Sequence, residues 1–219
     1  MVVVTTPGWN DVRGSLRRYS RSSPTDAWHL ERGPIPIVVG RTGLAWGVGF
    51  DALDDVGHPG PHKHEGDGKS PAGVFPLDTV FGYAPPSAAT SLRMPYVQLT
   101  DASDCVDDTA SVHYNTVVER SAVPLVDWQS AERMRSVWQY EMGVIVGYNA
   151  SRPAKGRGSC IFLHIWDGPD SHTAGCTAFD RDELQQLIAW LDARKRPVLV
   201  QFPAAEYARW RAQWALPPA

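Results

Sequence analysis

The sequence predicts a mainly β domain carrying two or three peripheral helices, and three observations lead there. Glycine and proline number 19 and 18 among 219 residues, a share that implies many turns. Between the turns, β-branched and aromatic residues gather in short runs such as VVVTT, PIPIVVG and IFLHIW. Helical periodicity is confined to a few segments of the second half.

Composition bounds the rest. Hydrophobic residues make up 43% and charged residues 21%, values of an ordinary globular chain, and no linker divides it, so residues 1–219 read as one domain. The net charge of −3 argues against nucleic acid as the main partner. No apolar run approaches 18 residues, so no membrane span is expected. The opening MVVVTTPGWN lacks both a basic stretch and a long apolar one, so no secretory signal is visible.

In chain order, residues 1–60 read as strands and hairpins: VVVTT, LRRYS, PIPIVVG and LAWGVGF. Residues 61–90 read as a loop centred on HEGDGKSPAGVFP, because its Pro and Gly oppose regular helix. Ser130 to Tyr140 reads as the first helix, with Ser130 as N-cap and Met134, Val137 and Trp138 on one face. A buried strand is expected over Gly143–Tyr148 and another over Cys160–Trp166. In the second, alternation sends Cys160, Phe162, His164 and Trp166 to one face and Ile161, Leu163 and Ile165 to the other. Asp180, with Glu183 three residues on, starts a helix from Arg181 to about Arg194. Pro197 stops it, VLVQF returns as a strand, and EYARWRAQW reads as a short final helix.

Three clusters offer chemistry. His164, on an apolar strand, precedes Cys176 of TAGC by 12 residues. A thiol is mostly protonated at neutral pH, and a cationic imidazole beside it would lower its pKa and make thiolate. Gly175 would let the backbone turn sharply and bring its N–H, with that of Cys176, to a developing oxyanion. The second cluster is His58, His62 and His64, with Glu65 and Asp67 nearby, whose alternative to metal binding is a solvated loop. The third is Asp101, Asp104, Asp107 and Asp108, which miss calcium-loop spacing and read as a solvated turn, with an ammonium-binding role as the alternative. Tyr114-Asn115 and Tyr148-Asn149 read as strand-end turn chemistry. Most of the nine tryptophans, Trp46, Trp138 and Trp190 among them, read as core or rim packing, with Trp166 also placed to wall a groove.

GDGKSPAGVF (66–75), IFLHIW (161–166) and TAGC (173–176), in that order, resemble the L,D-transpeptidase catalytic domain, the YkuD-like family; VVGRTGLAWG (38–47) adds to the likeness. Pro71, Gly73 and Phe75 match the family's early Pro-x-Gly-x-Phe string, and His164, Thr173, Gly175 and Cys176 match its later motif. The resemblance implies a β-sandwich and a periplasmic or cell-envelope setting in peptidoglycan biosynthesis and cell-shape maintenance. Cys176 would attack a diaminopimelate–D-Ala bond of a stem peptide, His164 would move the protons, and the thioester would pass to an amine. No cofactor and no metal are implied, and carbapenem β-lactams would be candidate inhibitors acylating Cys176. Thr173, His172 and Trp166 would contact substrate. Ala174 stands where the family has a histidine, Thr177 and Ala178 follow the cysteine in place of its usual residues, and only eight residues separate His164 from Thr173.

In that setting a Cys105–Cys160 disulfide with Cys176 free would account for the odd cysteine count. L,D-carboxypeptidase or protein–peptidoglycan amidase action on the same site, a non-catalytic wall-binding module, and a metal hydrolase built on His58, His62 and His64 are the alternatives.

Overall fold

The computed structural model describes residues 1–49 and 58–219, so the end of the LAWGVGF run, at Phe50, lies outside the described residues. Among the described residues the chain forms thirteen strands and two α-helices, a mainly β fold as the sequence predicts. The strands are β1 (Val2–Thr6), β2 (Arg13–Ser20), β3 (His29–Val38), β4 (Leu44–Trp46), β5 (Ser70–Gly82), β6 (Tyr96–Gln98), β7 (Ser103–Val106), β8 (Val117–Glu119), β9 (Ala131–Arg133), β10 (Met142–Val146), β11 (Phe162–Ile165), β12 (Thr177–Phe179) and β13 (Val198–Pro203). The helices are α1 (Arg181–Trp190) and α2 (Ala204–Arg211).

Where the family likeness implies two packed sheets, the strands run β10-β11-β12-β3-β2-β1-β13-β5, and β5 pairs back onto β10. Eight strands thus close into a barrel, which leaves these strands no open edge. Short β4 and β6 add to β5 outside the ring. A separate antiparallel sheet, β8-β7-β9, lies apart.

The longest strand, β5, occupies much of the segment that the sequence marked as a loop. Its prolines cost little there because extended backbone accommodates their fixed φ, and their carbonyls still bond. Pro71 accepts from Gln201 Nε2 at 2.8 Å and Pro76 from the Gly147 amide at 2.8 Å.

The expected helix over Ser130–Tyr140 does not form. Ala131–Arg133 pairs with β7 instead, and two 3-10 turns, Met134–Ser136 and Trp138–Glu141, lead into β10. A period near three satisfies the same i, i+3 apolar spacing. Within the acidic segment Asp101 does sit in an exposed turn and Asp107 and Asp108 follow strand β7, but Asp104 lies in β7 itself rather than in a solvated turn. Asp104 is fully buried, 3.3 Å from Arg120 and 3.5 Å from Arg133, and accepts from Trp128 Nε1 at 3.1 Å. Asp180 does cap α1, accepting from the amides of Asp182 at 2.9 Å and Glu183 at 3.3 Å. Glu183 pairs with Arg32 rather than reaching back, and α1 stops at Trp190, short of the expected Arg194.

Alternation along β11 divides two cores as expected through Ile165, while Trp166 packs against the main cluster. Ile161, Leu163 and Ile165 face the main cluster with Val144, Phe179 and Leu184. Cys160 and Phe162 face a second cluster with Phe81, Leu99, Cys105, Met134, Tyr140 and Cys176. That second cluster joins the outer face of the barrel to the small sheet.

Candidate active site

Strand register brings the two sequence candidates together. His164 pairs with Ala178 across the parallel β11–β12 ladder, so Cys176, two residues earlier, lies on the same face one step along. Both line a cavity of about 370 Å³ between the barrel and the small sheet. The Phe162 amide donates to Cys176 Sγ at 3.3 Å, and the thiol donates to the Cys160 carbonyl at 3.5 Å. His164 Nδ1 lies 2.7 Å from the Ile165 carbonyl, which can only accept, so the proton sits on Nδ1 and Nε2 remains a base.

Burial dominates both ionisations. It pushes the Cys176 thiol up to about 12, helped by the Glu132 charge and opposed by the Phe162 amide, the Tyr140 hydroxyl and Lys63. It pushes the His164 imidazole down to about 4, against the Ile165 carbonyl and Asp167. The thiolate–imidazolium pair expected from the sequence is therefore not the resting form. A neutral thiol and a neutral imidazole line the cavity instead.

The turn carrying Cys176 is fixed by hydroxyls. Thr173 Oγ1 and Ser70 Oγ both donate to the Cys176 carbonyl, at 2.6 and 2.8 Å, and the Gly175 amide donates to Thr173 Oγ1 at 3.1 Å. The Gly175 N–H, expected to face an oxyanion, is thus engaged within the turn. The glycine is needed for close packing: an added Cβ would stand 3.1 Å from the Lys69 carbonyl and 3.3 Å from Ile161. Thr173, buried and tied into this turn, lines the cavity together with exposed His172 and half-buried Trp166. Ala174, in the place of the family's histidine, is exposed and also lines it.

One wall comes from the segment 63–70. Lys63 and Asp67 form a buried ion pair at 2.9 Å, and Asp67 also accepts from the amides of His64 and Lys69, each at 2.9 Å. Burial raises the Asp67 pKa, but these amides and Lys63 outweigh it and hold the carboxyl below its usual range. Glu65 is fixed by the hydroxyls of Tyr114 at 2.6 Å and Ser159 at 2.9 Å.

The opposite wall comes from the small sheet, tied to the barrel by a Cys105–Cys160 disulfide with Cys176 free. The pairing is the one the family setting implied. Cys160 has φ 54°, a left-handed conformation held by its amide bond to Asn115 Oδ1 at 2.9 Å. Asn115 and Asn149 are left-handed too, and Asn115 Nδ2 braces the carbonyls of Tyr148 and Asn149, the turn role expected of both pairs.

Two cavity residues escaped sequence reading. Tyr140 Oη donates to Glu132 Oε2 at 2.6 Å, its ring meets that of His164 edge-on at 5.2 Å, and it packs in the same buried cluster as Cys176. Burial raises the Glu132 carboxyl to about 7, against the Tyr140 hydrogen bond. Both fall in the expected helix; the β7–β9 pairing brings in Glu132, and the 3-10 turn Trp138–Glu141 brings in Tyr140.

The histidine cluster does not assemble. His58 stacks on Trp46 at 4.7 Å, while His64 Nδ1 lies 3.2 Å from the Glu65 carbonyl. Among the described residues no three His, Cys, Asp or Glu side chains converge as metal ligands would, and no helix is long and apolar enough to cross a membrane. Of the tryptophans, Trp46 is buried in the core, whereas Trp138 is 54% exposed. No family model, curated protein or solved structure matches the chain.

Proposed function

We propose that the cavity is the active site of a cysteine acyltransferase of the L,D-transpeptidase kind, acting on peptidoglycan stem peptides in the cell envelope. The observation that carries this reading is that the one free thiol, Cys176, and His164, with its Nδ1 proton held by the Ile165 carbonyl, line a single cavity. The ordered motifs at 66–75, 161–166 and 173–176 supply the choice of substrate, and the closed barrel would be this chain's version of the family's sandwich.

In the proposed reaction the Cys176 thiol proton passes to His164 Nε2 as sulfur attacks the diaminopimelate carbonyl. The C–N bond to D-Ala breaks, and the leaving amine takes its proton from the His164 imidazolium. An acceptor amine then attacks the thioester and gives His164 its proton, and the thiolate leaves to be reprotonated. With water as acceptor the same intermediate gives carboxypeptidase action. His172 and Trp166 line the cavity where an acceptor would lie.

The test is mass spectrometry of tetrapeptide muropeptides incubated with the protein, beside Cys176→Ala and His164→Ala controls. A Cys176-dependent dimer with loss of D-Ala supports transpeptidation, and a tripeptide without dimer supports trimming. Near-normal turnover in either variant, with an unchanged circular dichroism spectrum, refutes the assigned roles.

A further inference from the structure

Besides Cys176, bonded by the Phe162 amide and to the Cys160 carbonyl, and His164, the cavity holds a second buried pair, Tyr140 and Glu132. There the Tyr140 hydroxyl donates to Glu132 at 2.6 Å, and Tyr140 packs in the same buried cluster as Cys176 and lines the same cavity. Phe81, Phe162 and Tyr140 pack edge-on at 5.2 to 5.8 Å and fix the phenol ring. Gly143, opposite His164 on β10, makes room for this triad, since a Cβ there would collide with the Phe81 ring.

A phenol has one proton and can give it to one acceptor at a time. We propose that Tyr140 is a further catalytic residue and Glu132 its positioning residue: protonated Glu132 directs the Tyr140 O–H to the Cys176 sulfur, and ionised Glu132 draws it away. In the first state the Glu132 carboxyl O–H donates to Tyr140 Oη, and Tyr140 donates to the thiolate once its proton has gone to His164. In the second, Tyr140 donates to the Glu132 carboxylate, and the thiol keeps its proton, donating to the Cys160 carbonyl at 3.5 Å.

The structure holds the hydrogen bonds of the second state. The position of Glu132 near 7 puts the switch within the working range of an enzyme near neutral pH. Other charges face the same space without taking this role. Lys63 is neutralised by Asp67, Glu65 is held by Tyr114 and Ser159, and Asp167 raises the His164 imidazole. Asp107, beside Glu132, adds to the pressure against a second negative charge. Arg41 and His172 also line the cavity.

The catalytic half of the proposal rests on the acyl-transfer reading, but the switch acts on the thiol itself and is measured without a peptide. With the disulfide intact, Cys176 is the sole thiol, so its alkylation by iodoacetamide from pH 5 to 10 reports its ionisation alone. Glu132→Gln keeps the shape and removes the charge. It is expected to lower the apparent thiol pKa by about one unit, making alkylation about tenfold faster at pH 8. Tyr140→Phe removes the donor and is expected to slow alkylation by about tenfold below pH 7, where Glu132 is protonated, and by less above it.

Rates within twofold of the parent at every pH for Glu132→Gln overturn the switch, and this variant decides the matter if Tyr140→Phe fails to fold. Shifted alkylation profiles in a protein that leaves muropeptides unchanged keep the switch and refute the acyl-transfer reading. Turnover with unshifted profiles does the reverse.

Discussion

Ser70 Oγ donates a 2.8 Å hydrogen bond to the carbonyl of Cys176, a residue 106 positions later, and accepts one from the Gly40 amide at 2.9 Å. Both groups are buried, so the hydroxyl joins β5, the loop after β3 and the turn of the nucleophile. Ser70→Ala is expected to destabilise the fold by about 1–3 kcal/mol, because it leaves a buried N–H unpaired. The turn should also loosen, lowering Cys176-dependent turnover while the alkylation pKa stays put. Urea denaturation together with muropeptide assays checks this, and an unchanged midpoint would falsify the bracing role.

The Lys63–Asp67 pair is 4% and 5% exposed. Removing one partner strands the other, so Lys63→Met is expected to cost about 3–5 kcal/mol. Because folding depresses the Asp67 pKa, its contribution is complete above the ordinary aspartate range and is lost as pH falls through the folded value. The gap between parent and Asp67→Asn should therefore shrink in acid. Thermal melts at pH 7 and pH 3 show whether it does.

The disulfide closes a separation of 55 residues, which the chain-entropy account values at about 4 kcal/mol. Reduction, or the Cys105→Ser, Cys160→Ser double variant, should lower the denaturation midpoint accordingly. Oxidised, denatured protein should titrate with one thiol equivalent, and reduced protein with three. Three equivalents without reductant would remove the link between sheet and barrel.

Glu132 and His164 shape stability against pH in opposite senses. Folding raises Glu132 to about 7, so stability is lost as pH rises from the ordinary glutamate value through 7. Folding lowers His164 to about 4, so stability is lost as pH falls from about 6.5 toward 4. Glu132→Gln is expected to raise the melting temperature at pH 8 and leave it unchanged at pH 4. Calorimetry at the two pH values separates this from a uniform effect.

Elements resting on local patterns were legible in the sequence. The alternation through 160–166 placed Ile161, Leu163 and Ile165 in one core and Phe162 in the other, and the Asp180 cap marked the start of α1. That Cys176 and His164 belong to one site was legible because their motif is short and ordered. Ser70, Glu132 and Tyr140 were not: Ser70 and Glu132 enter through long-range pairing of β5, despite its prolines, and of β9, despite helical spacing, and Tyr140 enters on a 3-10 turn in place of the expected helix. The cysteine count implied a free thiol, but its protonation depended on burial, which no residue spacing expresses.

Closure of the barrel has a cost before folding is complete. The ring depends on β13 lying between β1 and β5, so residues 2–6 must meet residues 198–203 before the circuit exists. Until then the backbone of β1 and β5 stays unpaired along that side, a template for strands of other molecules. Native protein offers short edges to aggregation, whereas a refolding chain offers long ones and must search a large loop first. Recovery from denaturant should therefore fall as protein concentration rises, even though the finished fold resists association.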